Sequence, residues 1–413
     1  MQRLAREDCE RLDHADPLGA FRSRFELPEG IIYLDGNSLG PLPAGTRQRL
    51  DELVRVQWGN DLIRSWNSHD WIGLPQRIGA KIARLIGAHD DEVIAADSTS
   101  VNLFKLLAAA LRLRPGRRVI VSERSNFPTD LYIIQGLIGL LGQGHELRLV
   151  HADELPATLN EEVAVLVLTQ VDYRSGRLHD LAALTRQAQA RGALTLWDLS
   201  HSAGAMPIDL TAAGVDMAVG CGYKYLNGGP GAPAYLFIAR RHQPEAQPAI
   251  AGWMGHAAPF EFTLDYRPAA GIARQLAGTP PVLGLVALEI GVDLLLEADL
   301  HLVREKSRRL GDLCLQLLEQ ECAAFGFELA CPRDSAQRGS QVAFRHPQGY
   351  AIIQALIAAG VIGDFRAPDI LRFGCVALYL RYVDIWDAVA ALRRVMENQA
   401  WDRPEFKRRA PVT

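Results

Sequence analysis

The feature that most restricts how this chain can fold is a regular alternation between residues 99 and 239. Short apolar runs at 118–122, 147–150, 163–169, 194–198, 216–220 and 234–239 are separated by stretches with apolar side chains at helical spacing, at 99–112, 129–141 and 178–191. Several of the runs, VAVLVLT (163–169) above all, are apolar on successive residues, as strands covered on both faces must be. Strands alternating with helices build a mostly parallel sheet with helices on both sides.

The pattern changes after TPPVLG (279–284), where two long amphipathic helices are expected over 284–297 and 299–325. Beyond them come FELACP, SQVAFRH, a helix near 349–359, LRFGCVALYL and a last helix near 383–397. The expectation is an α/β large domain over 46–285, a smaller α+β C-terminal domain over 286–413, and an N-terminal segment, 1–45, that packs with the smaller one. A length of 413 residues accommodates this, since a prior of one domain per roughly 100–200 residues points to two or three.

Composition narrows the function classes. At 48% hydrophobic and 22% charged residues the chain is of globular type, and a net charge of −4 gives none of the basic excess that a nucleic-acid partner calls for. The first twenty residues alternate charged and apolar side chains without a continuous apolar stretch, so neither signal peptide, membrane anchor nor other membrane association is expected, and the location expected is the cytoplasm. Six cysteines lack CxxC or CxxH spacing and read as small buried hydrophobes; no protein-bound metal is indicated.

In LTLWDLSHSAG (194–204) an apolar strand delivers Asp198 at its carboxyl end, with His201 three residues on. That edge of an open α/β sheet is where ligands bind, although a lone carboxylate there could equally cap the next helix. After the following strand, CGYKYLNGGPGAP places Lys224 between two tyrosines in a glycine-rich loop. By itself such a lysine could lay its stem over the aromatic rings. Together, a carboxylate at one strand end and a lysine after the next match pyridoxal 5'-phosphate. That cofactor works best when an acid keeps its ring nitrogen protonated and a lysine holds its aldehyde.

Thr99 and Ser100, at the start of a helix, are candidate phosphate ligands, because free backbone N–H groups and the helix dipole favour an anion; an ordinary cap cluster is the other reading. Phe127 in SNFPTD follows a strand and could stack on the cofactor ring or simply fill the core. GGPGAP lacks both GxGxxG and a following helix, so its glycines read as a tight turn behind the lysine and not as a nucleotide loop.

These motifs, with YLDGNSLGPLP (33–43), AGWMGH (251–256), GTPPVL (278–283) and LRFGCVALY (371–379), resemble the kynureninase family over most of the chain and in the expected order. The resemblance implies an aspartate-aminotransferase-like, fold-type-I enzyme of the class V aminotransferase-like superfamily. It implies hydrolysis of L-kynurenine, or its 3-hydroxy form, to anthranilate or 3-hydroxyanthranilate and L-alanine, within tryptophan catabolism and the kynurenine route to NAD biosynthesis. It also implies a homodimer whose active sites each borrow residues from the neighbouring subunit.

By carry-over, Thr99, Ser100, Phe127, Asp130, Thr169, Asp198, His201, Tyr223, Lys224, Trp253 and Thr279 contact the cofactor, the tryptophan and Thr279 from the partner chain. Arg372 would grip the substrate α-carboxylate, a task suited to a planar guanidinium; the usual fate of an arginine is instead an ion pair. Lys224, Tyr223, Asp198 and His201 are the expected catalytic set, with Tyr223 a proton relay whose phenol a cationic lysine would shift towards neutrality. Thr279 stands where animal enzymes that prefer 3-hydroxykynurenine carry asparagine, which points to unsubstituted kynurenine. Two other readings share the fold or the fit: a cysteine desulfurase or related class V aminotransferase, with Cys331 or Cys375 as nucleophile, and a non-catalytic cofactor-binding scaffold.

Overall fold

In the computed structural model, which describes residues 3–409, seven strands form one sheet. They are β1 (Val93–Ala95), β2 (Val119–Glu123), β3 (Glu146–Val150), β4 (Val163–Thr169), β5 (Leu194–Asp198), β6 (Met217–Gly220) and β7 (Tyr235–Ile238). Their order across the sheet is β1-β7-β6-β5-β4-β2-β3. Neighbours run parallel except around β7, which is antiparallel to both β6 and β1. The central strands are buried at every residue, as unbroken apolar runs require, whereas edge strand β3 is only half-buried. Helices Thr99–Leu113, Pro128–Leu141 and Leu181–Ala190 fill the connections.

Because β4, β5 and β6 run parallel, their carboxyl ends share one edge of the sheet: Thr169 lies beside Asp198, and Asp198 beside Val219. The loop from β6 to β7 carries Lys224 past that edge, and its turn relies on Gly229 and Gly231 at φ +84° and +72°, the left-handed region that favours glycine.

Helix Val282–Leu296 crosses residue 285 and joins helix Leu74–Leu85 through ion pairs of Glu289 with Arg77 and Lys81, at 2.9 and 2.8 Å. The smaller C-terminal domain includes helix Leu300–Cys322. It holds an antiparallel sheet in the order Asp364–Arg366, Ile370–Gly374, Gln341–Arg345, Glu328–Leu329, covered by Leu300–Cys322 and Gly349–Ala358, on which Tyr382–Glu397 packs. Ile32–Tyr33 pairs in parallel with Val361–Ile362, and the Asp13 carboxylate accepts hydrogen bonds from the backbone N–H groups of Tyr382 and Val383 at 2.6 and 3.0 Å, capping that helix. The N-terminal segment is thereby tied to the C-terminal part of the chain. Among the described residues no helix is long and apolar enough to cross a membrane.

Candidate active site

The site grows from the ends of β4, β5 and β6. Asp198, the last residue of β5, is buried and its carboxylate accepts a 2.7 Å hydrogen bond from the Ser200 backbone N–H. The turn that follows brings in the buried His201, whose Nε2 lies 2.9 Å from the Lys224 amine. That amine also lies 5.9 Å from the centre of the Phe127 ring and 5.8 Å from that of Tyr223.

Phe127 precedes helix Pro128–Leu141 and rests edge-on against Tyr173, with ring centres 5.1 Å apart. It remains 36% exposed, so the core-filling alternative does not hold. One turn into the same helix, the buried Asp130 accepts from the Thr169 hydroxyl at 3.4 Å, and Thr169 also bonds Asn126.

Electrostatics follow from burial. Burial raises the Asp198 carboxyl, against the pull of the Ser200 hydrogen bond and the Lys224 charge. Asp130 is pushed well up, first by burial and then by Asp198. His201 is held well below the ordinary imidazole range by burial, then by the Lys224 and Arg372 charges; it is neutral, and its buried Nδ1 has no hydrogen-bond partner. The expectation for Tyr223 is corrected here. Burial, with Cys221 and Asp198 adding to it, drives the phenol up and not towards neutrality, so Tyr223 keeps its proton.

Arg372, in the middle of strand Ile370–Gly374, is 1% exposed. The ion-pair reading is met by Asp364, 2.5 Å away, and the guanidinium also reaches the Tyr173 carbonyl and, at 2.7 Å, the Ser38 hydroxyl. Arg366 joins the group, 2.7 Å from Asp364.

Residues Asp35, Ser38, Asp364 and Arg366 escaped the sequence reading. Two segments distant in sequence bring them together, and only YLDGNSLG, noted as a motif, signalled part of the set. That motif docks directly on the lysine loop: the Gly40 backbone N–H donates to the Tyr223 carbonyl at 2.8 Å. A Cβ at Gly40 would lie 2.4 Å from the Lys224 carbonyl oxygen, so only glycine fits.

Thr99 and Ser100 are the first residues of their helix, and Ser98 caps it by accepting from the Val101 N–H at 3.4 Å, which leaves the two hydroxyls outside the cap. Trp253 and Thr279 stand apart. Trp253 packs on Phe260 and Phe262, Thr279 is exposed, and among the described residues neither touches the Lys224 cluster of the same chain.

The architecture is shared with a cysteine desulfurase from Thermococcus onnurineus NA1, at 18% identity and a TM-score of 0.77 over 92% of this chain and 98% of that one. It is shared equally with C-DES solved with glycine covalently linked to its PLP cofactor, at 18% identity and a TM-score of 0.75 over 90% of this chain and 98% of that one. The fold is that of the fold-type-I enzymes. Within that class, residues 303–392 match the kynureninase C-terminal domain. A kynureninase from Burkholderia mallei is 52% identical over 413 residues, covering 99% of both chains. The chain belongs to the kynureninase family.

Proposed function

We propose that this chain is a pyridoxal-phosphate-dependent hydrolase that cleaves L-kynurenine to anthranilate and L-alanine. The observation that carries the reading is the Lys224 amine, half-buried at the carboxyl edge of the sheet, 2.9 Å from a neutral His201 and near a buried Asp198. The residues suit the cofactor: the Lys224 amine, the buried Asp198 and His201 meet at one sheet edge, and Phe127 leaves a ring exposed beside the lysine. When bound, the cofactor supplies an electron sink at the substrate α-carbon.

In this reading Lys224 would hold the cofactor aldehyde, and its amine would take up the substrate α-proton. Asp198 keeps the ring nitrogen protonated, and His201 positions groups without charge of its own. Thr99 and Ser100 offer hydroxyls and N–H groups to the phosphate, while Thr169, at the end of the next strand, and Asp130, on helix Pro128–Leu141, would contact the cofactor beside Asp198. Tyr223, protonated, donates to the phosphate and to groups that gain charge. Arg372 binds the substrate carboxylate. Thr279 favours a substrate ring without the 3-hydroxyl.

The reading extends to a homodimer in which Trp253 and Thr279 reach the neighbour's site. The exposed stretch of Trp253, Phe260, Phe262 and Leu264 supports it, since a monomer rarely leaves so much apolar surface in water. A division at 1–45, 46–285 and 286–413, a cytoplasmic location and a place in tryptophan catabolism complete it. Six free, buried cysteines accord with a reducing compartment.

A desulfurase role is disfavoured because Cys331 and Cys375 are buried and burial drives both thiols up, Cys375 to about 12, which keeps them from ionising. Cofactor-loaded protein incubated with L-kynurenine should develop anthranilate fluorescence. Protein that binds the cofactor yet yields no anthranilate would overturn the proposal.

A further inference from the structure

We propose that Asp35 is an internal counter-carboxylate for Arg372, neutralising the guanidinium in the free enzyme and taking up a proton when a substrate carboxylate arrives. The inference rests on the reading of Arg372 as the carboxylate-binding residue and deepens it.

The Gly374 backbone N–H donates to the Leu34 carbonyl at 2.6 Å, which fixes the 35–38 turn against the strand that carries Arg372. Asp35 Oδ1 then lies 3.8 Å from Arg372 Nη2, and Asp364 Oδ2 lies 2.5 Å from the same nitrogen. Arg366 completes the group through its 2.7 Å bond to Asp364. Two arginines thus face two carboxylates, and the cluster is neutral. Arg372 Nε is buried with no partner, so the guanidinium keeps a donor for an incoming anion.

A third carboxylate brings a net negative charge to a place where Arg372 and Asp364 are almost fully buried, and uncompensated buried charge is costly. A proton restores balance. Both arginines already occupy Asp364 Oδ2, at 2.5 and 2.7 Å. Asp35 is the better acceptor: its Oδ1 is buried with no hydrogen bond at all.

Burial first, then Asp364, raise the Asp35 carboxyl to about 6, against Ser38, Arg372 and Arg366. The phenols around it, Tyr33, Tyr225 and Tyr379, are all pushed up by burial and stay neutral. The charges that face Asp35 are therefore Asp364 and the two arginines.

The sign follows from linkage. Free Asp35 titrates near 6 and a bound carboxylate moves it higher, so binding takes up protons above that pH. Affinity for a carboxylate ligand rises as pH falls towards about 6 and levels off below it.

The test titrates L-alanine, the proposed product, into cofactor-loaded enzyme by calorimetry, in two buffers of different ionisation heat. Ethylamine serves as the carboxylate-free control, since it shares the reacting amine. At pH near 7, alanine should take up more protons than ethylamine in the wild type, and Asp35→Asn should abolish the excess. The same variant should bind alanine about tenfold tighter near pH 8, the scale of one like charge removed, and no tighter near pH 5.

Equal proton uptake in wild type and Asp35→Asn overturns the assignment. If that variant fails to fold, a wild-type alanine affinity that does not rise relative to ethylamine between about pH 8 and 6 overturns it as well. If alanine binds wild type no better than ethylamine, the carboxylate role of Arg372 fails first, and this inference with it.

Discussion

Around Lys224, burial acts on each neighbour in the direction of its uncharged form. His201 loses its proton, Asp130 and Asp198 are raised, and Tyr223 keeps its proton. The neutral His201 ring stays in hydrogen-bond contact with the amine, its Nε2 2.9 Å away. Lys224→Ala should therefore remove the visible absorbance of lysine-bound cofactor while the protein remains folded by circular dichroism. A spectrum identical to wild type would place the covalent link elsewhere. Arg372→Ala should cost about 1.5–3 kcal/mol of carboxylate-ligand binding, the worth of a charged hydrogen bond. Unchanged KM and unchanged inhibitor affinity would remove the arginine from the substrate site. Asp198 and Lys224 could be read directly, because each lies at the end of an apolar run and the run gives its position. Asp35, Asp364 and Arg366 could not, since their partnership depends on the approach of the 35–38, 364–366 and 372 segments, which no local pattern encodes.

At the scale of elements, the strand pair that carries Asp198 and leads to Lys224 is pinned by one buried carboxylate. Asp216, just before β6, accepts from the Thr195 N–H and hydroxyl in β5 at 2.9 and 3.0 Å and from Gln189 at 3.0 Å. Beyond β7, Arg241 and His242 reach it at 2.7 and 2.8 Å. Burial opposes the charge, but these partners hold the carboxyl down to about 2.

A depressed carboxyl stabilises the fold above its unfolded value near 4. That contribution, about 2–3 kcal/mol, is lost as pH falls through the folded value of about 2. Asp216→Ala should cost about 1–3 kcal/mol in urea unfolding at neutral pH, since it leaves the buried Thr195 and the half-buried Gln189 donors without their acceptor. A loss below about 1 kcal/mol would mean that the network contributes little.

The same elements show how far pattern reaches. The runs at 163–169 and 194–198 form strands with those bounds, being apolar on both faces. Strand β1 was missed because three residues, VIA, give no period to detect, and its place at the sheet edge depends wholly on pairing with β7.

For the whole molecule, the position of Trp253 decides between a site complete in one chain and one shared by two. Its ring stacks on Phe262, with centres 6.4 Å apart, within a stretch where Phe262 is 74% and Leu264 103% exposed. An enzyme that is a dimer through this face should show complementation between two inactive variants. In a hybrid of Lys224→Ala with Trp253→Ala, the subunit that keeps its lysine would receive the native tryptophan from its neighbour, so one of the two sites is intact. If the tryptophan instead serves its own chain, every site in the hybrid carries a substitution. Random reassortment makes half the dimers hybrid, so co-refolded or co-expressed variants should recover about a quarter of wild-type activity, and neither variant alone should. Recovery shows that the tryptophan acts across the interface. Hybrid dimers, separated by different affinity tags and found as inactive as their parents, would confine Trp253 to its own chain and remove the exposed aromatic stretch as a contributor across the interface.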